Sequence, residues 1–175
     1  MEIGCNEGKA GALLQCIMDK WEITDKKLYL YDSFEGLPAP KEVDGEGALI
    51  REGAFAVDEE VVLKTFLKFD LKLPVICKGW FCDTLSTQLP DKICFAYLDG
   101  DLYESIRDSL KYVYPRMSKG AIALIDDYWL YKKKIPELAF PGVRKACDEF
   151  LAEHHLCSDF FRHQPGGQAF FRKEA

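Results

Sequence analysis

Four short, continuous apolar runs recur along the chain, at Lys27–Tyr31, Pro74–Cys77, Ile93–Leu98 and Ala121–Ile125. Between them, Lys9–Trp21, Glu59–Phe69 and Tyr103–Tyr114 carry apolar residues at three- and four-residue spacing, which predicts helices. Strands that are apolar on both faces and alternate with helices predict a mainly parallel sheet covered on both sides. Met1-Glu2-Ile3-Gly4 reads as the tail of a further strand entering a glycine-bearing turn. Near the other end, His154–Arg162 and Gln168–Arg172 flank Pro165-Gly166-Gly167, which predicts a closing antiparallel hairpin. By length, residues 1–175 form one α/β domain.

Two segments are longer than packing alone requires. Asp32–Val57 has a charged middle, and Asp126–Pro141 carries Tyr128, Trp129 and Tyr131 followed by lysines. Both follow the carboxyl ends of predicted strands, where open α/β sheets bind their ligands.

Composition excludes more than it assigns. Hydrophobic residues make up 48% and charged residues 30%, as in ordinary globular proteins. A net charge of -6 offers no basic surface for sequence-independent nucleic-acid binding. No apolar run approaches the roughly 20 residues that cross a bilayer, so no membrane partner is expected. The seven cysteines form no CxxC pair, which argues against a zinc ribbon or a dithiol redox site. Most, such as Cys77 and Cys94, lie in apolar runs and read as small buried hydrophobes. Free thiols point to the cytoplasm.

The chemistry gathers at strand ends. In Glu2-Ile3-Gly4-Cys5-Asn6-Glu7-Gly8 an acid precedes glycines at a strand-to-helix turn, where a ligand can approach the backbone closely. Asp32 ends the next strand, where a carboxylate can accept hydrogen bonds from both hydroxyls of a ribose. The dinucleotide pattern G-x-G-x-x-G does not occur, which argues against NAD. Lys78-Gly79-Trp80-Phe81 offers aromatic rings that could stack on a purine. Leu98-Asp99-Gly100-Asp101 and Ile125-Asp126-Asp127 each put two acids after an apolar strand, and one helix separates them. The two strands are therefore expected to be neighbours, with four carboxylates converging. Such a cluster repels itself unless a cation or shared protons relieve it, and oxygen-only ligation suits Mg²⁺, Mn²⁺ or Ca²⁺. The competing reading makes Asp101 and Asp127 solvent-facing caps, with Asp101 starting the following helix. The residues also leave open a metal-dependent glycosyltransferase of the D-x-D type, or a non-catalytic cofactor-binding remnant.

Tyr31-Asp32-Ser33-Phe34-Glu35-Gly36-Leu37-Pro38, Gly79-Trp80-Phe81-Cys82-Asp83-Thr84-Leu85 and Leu98-Asp99-Gly100-Asp101-Leu102-Tyr103-Glu104-Ser105 together resemble the TylF, or macrocin O-methyltransferase, family. Tyr114-Pro115-Arg116, Ile125-Asp126-Asp127-Tyr128 and Arg144–Phe150 extend the resemblance in the same order. It implies a Rossmann-like class I methyltransferase fold that uses S-adenosylmethionine and a divalent metal, usually Mg²⁺, to methylate a hydroxyl of a small molecule such as a natural-product sugar. By position, Glu2, Gly4 and Gly8 would lie along the methionine part of the cofactor, and Asp32 would hold the ribose. Ser33, Phe34, Gly79, Trp80 and Phe81 would surround the adenine. Asp99 or Asp101, with Asp126 and Asp127, would hold the metal, and Asp101 could take the acceptor's proton. Family members carry a substantial region before the glycine turn that has no counterpart in this sequence. A central strand cut short leaves apolar surface uncovered, so a homo-oligomer is expected.

Overall fold

The computed structural model describes residues 1–47, 49–129, 140–156, 162–163 and 167–174. Its strands are β1 (Glu2–Ile3), β2 (Tyr29–Asp32), β3 (Val75–Lys78), β4 (Ile93–Leu98), β5 (Met117–Ile125), β6 (Arg162–His163) and β7 (Ala169–Arg172). They form one seven-stranded sheet in the order β3-β2-β1-β4-β5-β7-β6. The first five strands are parallel; β7 runs antiparallel to β5, and β6 antiparallel to β7. The helices are α1 (Lys9–Lys20), α2 (Glu59–Lys68), α3 (Phe81–Thr87), α4 (Tyr103–Arg116) and α5 (Pro141–Glu153).

Alternation along the strands decides what each face buries. On one face Ile3, Tyr31, Leu98, Ala123, Ile125 and Phe171 pack with Leu85 of α3, Ile106 and Leu110 of α4, and Val143 and Cys147 of α5. Leu30, one residue from Tyr31, points the other way into a smaller cluster with Ala12 of α1 and Val62 and Phe66 of α2. That second cluster includes no residue of β4, β5 or β7. The register puts Phe95, Tyr97, Ile122, Leu124 and Phe170 on this same face, and all five are only half-buried. On α1 Leu13 and Ile17 are exposed, and the C-cap residue Trp21 continues the row at the same spacing. No helix of the described residues is long and apolar enough to cross a membrane.

The long loop after β2 is tied into the fold by a buried acid. Asp44, in a single 3₁₀ turn at Glu42–Asp44, accepts a hydrogen bond from the Tyr103 N–H at 2.7 Å through Oδ1. Its Oδ2 accepts the Lys41 N–H at 2.8 Å. Leu102, at the N-cap of α4, makes no side-chain cap, so a distant carboxylate satisfies the first exposed amide of that helix.

The competing reading of Asp101 as the residue that starts α4 does not hold: it stands in the left-handed region at φ 59°, and Asp44 does the capping. Other expectations need correction. Of the expected first hairpin arm at His154–Arg162, the start follows directly on α5, which ends at Glu153, and Arg162–His163 pairs antiparallel with β7; residues 157–161 lie outside the described residues. Pro165 and Gly166 of the expected turn lie outside the described residues. Among the described residues the cysteines divide evenly: Cys5, Cys77 and Cys147 are buried, while Cys16, Cys82 and Cys94 are exposed. Cys94 sits at the irregularity between Ile93 and Phe95 where the β4–β5 register shifts.

Candidate active site

The sheet order reverses direction between β1 and β4, so the connections leaving these two strands go opposite ways and open a crevice at their carboxyl ends. Gly4 leaves β1 there at φ 85°, and a side chain on it would lie 1.8 Å from the Asp99 carbonyl oxygen. Only a bare backbone lets the two strand ends meet. A cavity of about 450 Å³ fills this crevice, with Gly4, Asp99, Gly100 and Asp101 among its lining residues and Asp32, Ser33, Trp80 and Phe81 from β2, β3 and the start of α3.

Asp32 is held in place by the backbone. Its Oδ2 accepts the Asn6 N–H and its Oδ1 the Phe34 N–H, each at 2.8 Å. Both donors come from residues in the left-handed region, Asn6 at φ 44° and Phe34 at φ 61°. Two bonds leave further acceptor positions on the carboxylate for a ligand's hydroxyls.

Beneath Gly100 the acids converge. One carboxylate oxygen each from Asp99, Asp101 and Asp127 lies within 4.8 Å of the others. Burial and the neighbouring carboxylates push all three acids upward: Asp101 to about 8, Asp127 to about 7 and Asp99 well above the usual range. Raised carboxyls of this kind relieve their mutual repulsion by sharing a proton or by binding a cation. Three hard oxygen donors without a basic partner in their group fit a divalent cation of the Mg²⁺ or Ca²⁺ type. Asp126 lies outside that group of three: its Oδ2 accepts the Tyr97 hydroxyl at 2.6 Å and its Oδ1 the Asp127 N–H at 3.1 Å.

Comparison with known proteins decides the lineage. The profile of the family described as Macrocin-O-methyltransferase (TylF) matches residues 1–173. The chain belongs to the TylF family. It is 32% identical over 166 residues to the demethyldecarbamoylnovobiocin O-methyltransferase of Streptomyces niveus, covering 91% of this chain and 60% of that protein. It is 33% identical over 135 residues to the 8-demethyl-8-(2,3-dimethoxy-alpha-L-rhamnosyl)-tetracenomycin-C 4'-O-methyltransferase of Streptomyces olivaceus, covering 73% of this chain and 52% of that protein. The solved structure of the O-methyltransferase NovP superposes with a TM-score of 0.83 at 30% identity, over 99% of this chain and 71% of that one. The chain thus spans little more than half the length of these curated relatives.

Within this TylF chain, the residues assigned to the cofactor divide by position. Gly4, Asp32, Ser33, Trp80 and Phe81 line the cavity; Glu2, Gly8, Phe34 and Gly79 are not among its lining residues. Gly8 lets α1 pack on α2, since a Cβ there would meet Val62 at 2.8 Å. Phe34 is buried in the cluster under α1 and α2. Glu2 is buried on the α1 face beside Gly11; Oε2 has no hydrogen-bond partner among the described residues, and burial pushes the carboxyl up to about 8. Sequence reasoning gave no individual role to Asn6, Leu37, Pro38, Phe55, Cys82 and Asp108, which also line the cavity. The only signal for Asp108 was its spacing, since it follows Glu104 by one turn on the cavity face of α4. Replacing Asp32 by alanine orphans two backbone amides and removes the acid, so ligand affinity is expected to fall by about 1.5–3 kcal/mol. Calorimetry with S-adenosylhomocysteine measures this, and wild-type affinity in the variant would remove Asp32 from the site.

Proposed function

We propose that this TylF chain binds S-adenosylmethionine in the cavity and, with a divalent cation, methylates a hydroxyl of a natural product or of its sugar. The observation that carries this reading is a single cavity lined by the backbone-held Asp32 and by Asp99 and Asp101, whose carboxylates converge with that of Asp127. The names of the matched relatives, which include a methyltransferase of a rhamnosyl tetracenomycin, support the class of acceptor. Bound together, the cofactor supplies an electrophilic methyl on sulfur and the cation makes a coordinated hydroxyl more acidic.

The protein's own contribution is placement. Asp32 has lone pairs for the two ribose hydroxyls, Trp80 and Phe81 offer an apolar wall to the purine, and Gly4 admits the ligand's chain against the backbone. Asp99, Asp101 and Asp127 hold the cation, with Asp126 as the flanking carboxylate. Asp101 is the proton acceptor in this reading: it lines the cavity, and burial beside other carboxylates raises its carboxyl to about 8, so its deprotonated form is a stronger base than an ordinary carboxylate.

Titration with S-adenosylhomocysteine and, separately, UDP, each with Mg²⁺, tests the assignment. Micromolar binding of the first and none of the second is expected; the reverse would make the chain a D-x-D glycosyltransferase. Methyl transfer from labelled cofactor to a panel of deoxysugars and catechols separates an enzyme from a binding remnant. The exposed thiols of Cys16, Cys82 and Cys94 suit a reducing compartment such as the cytoplasm.

The half-buried face of β4, β5 and β7 and the exposed Leu13, Ile17 and Trp21 support self-association. Light scattering is expected to show mass rising with concentration, and Ile17→Glu to reduce it. A wild-type chain that stays monomeric across the range would contradict a homo-oligomer.

A further inference from the structure

We propose that Phe55 is a cofactor-contacting residue, its ring forming the outer wall of the cavity over the nucleoside of the bound ligand. The inference rests on the function proposed above.

Phe55 lies in the long loop after β2, remote in sequence from every motif, yet it lines the cavity beside Asn6 and Asp32. It is a bulky residue at φ 64°, in the left-handed region that glycine or asparagine normally occupies. It is also 41% exposed, so its ring is not retained there to fill the core. An outlier of this kind costs stability unless its surroundings hold it.

The surroundings do hold it. The Leu37 N–H donates to the Ala54 carbonyl at 2.8 Å, and the Gly53 N–H to the Leu37 carbonyl at 2.9 Å. Gly36 presses against the same turn, where a Cβ would lie 2.5 Å from the Ala54 carbonyl oxygen. Beyond the turn, the Asn6 side-chain amide donates to the Phe55 carbonyl at 3.2 Å, while the Asn6 backbone N–H donates to Asp32. One residue of the glycine turn therefore fixes both the acid assigned to the ribose and the backbone that carries the ring. A loop that needed only a turn here would use a small residue. An exposed ring on a cavity wall gains burial when a nucleoside arrives, and an aromatic ring suits a purine as a neighbour.

Calorimetry and stopped-flow dissociation of S-adenosylhomocysteine from wild type, Phe55→Ala, Phe55→Gly and Phe55→Tyr form the test. Loss of the ring is expected to weaken binding about tenfold or more, through faster dissociation, in both the alanine and glycine variants. Tyrosine is expected to keep affinity within about threefold. Glycine relaxes the backbone, so Phe55→Gly is expected to melt no lower than Phe55→Ala, which separates the ring's role from the turn's. A folded Phe55→Gly protein with wild-type affinity would overturn this inference and leave the proposed function standing. A wild-type chain that binds no S-adenosylhomocysteine would overturn both.

Discussion

Gly4→Ala is expected to destabilise the protein by on the order of 4 kcal/mol and to abolish ligand binding. Two costs add. At φ 85° a side chain is strained whatever the space around it, and the new Cβ would stand 1.8 Å from the Asp99 carbonyl oxygen. Neither partner can step aside cheaply. The Gly4 N–H donates to the Tyr31 carbonyl at 2.9 Å, and the Asp99 N–H to the Ile3 carbonyl at 2.8 Å, so relief means breaking β1 from β2 or β4. Gly53→Ala is the matched control: it too has positive φ, at 72°, but nothing lies within 4 Å of its Cβ position. The control is expected to lose about 1 kcal/mol, and Gly4→Ala to melt on the order of 10 °C lower than wild type. If the two variants melt within a degree or two of each other, the approach of Gly4 to Asp99 is not what shapes the site.

That close approach also shows where sequence reading succeeds. Continuous apolar runs mark strands buried on both faces, and β2, β3 and β4 lie within two residues of the runs that foretold them. Helical spacing found α1, α2 and α4 for the same reason. It missed α3, whose seven residues make too few turns to show a period and whose Trp80 and Phe81 read as ligand or core aromatics. It missed α5 because Pro141 looked like the end of a loop, although proline suits the first turn of a helix. Convergence of the two acidic motifs was legible, because neighbouring parallel strands bring their carboxyl ends together. Which of the four acids face one another was not. That depends on Asp101 and Asp127 entering the left-handed region, at φ 59° and φ 53°, and on Asp126 being bonded by the Tyr97 hydroxyl. The contribution of Phe55 was equally hidden, since only the tertiary path of the loop carries it to the cavity.

The acidic cluster makes the second large prediction, one of opposite sign to the usual behaviour of surface carboxylates. Asp101 and Asp127 are raised from 3.8 to about 8 and about 7, so between roughly pH 4 and pH 8 the folded chain holds protons that the unfolded chain has released. Stability then falls as pH rises, because unfolding is favoured wherever the folded state binds more protons. The metal-free protein is expected to be most stable near pH 4–5 and to lose stability continuously up to about pH 8. Glu2, raised to about 8 chiefly by burial, adds a slope of the same sign, and Glu2→Gln measures its share. A divalent cation needs the deprotonated acids, so its effect should grow with pH. At pH 8 and a hundredfold excess over its dissociation constant, Mg²⁺ is expected to restore about 2.7 kcal/mol, roughly 8 °C in melting temperature. Asp127→Asn removes one charge and one ligand together. The variant is expected to be more stable than wild type at pH 8 without metal, to show a flatter pH dependence, and to ignore Mg²⁺. Melting curves from pH 4 to 8 at matched ionic strength, with and without millimolar Mg²⁺, give all three readings. Acids that merely cap turns would give a stability that rises through this range and a Mg²⁺ response no larger than that of the ionic-strength control. That pair of results would remove the cation from the proposed mechanism.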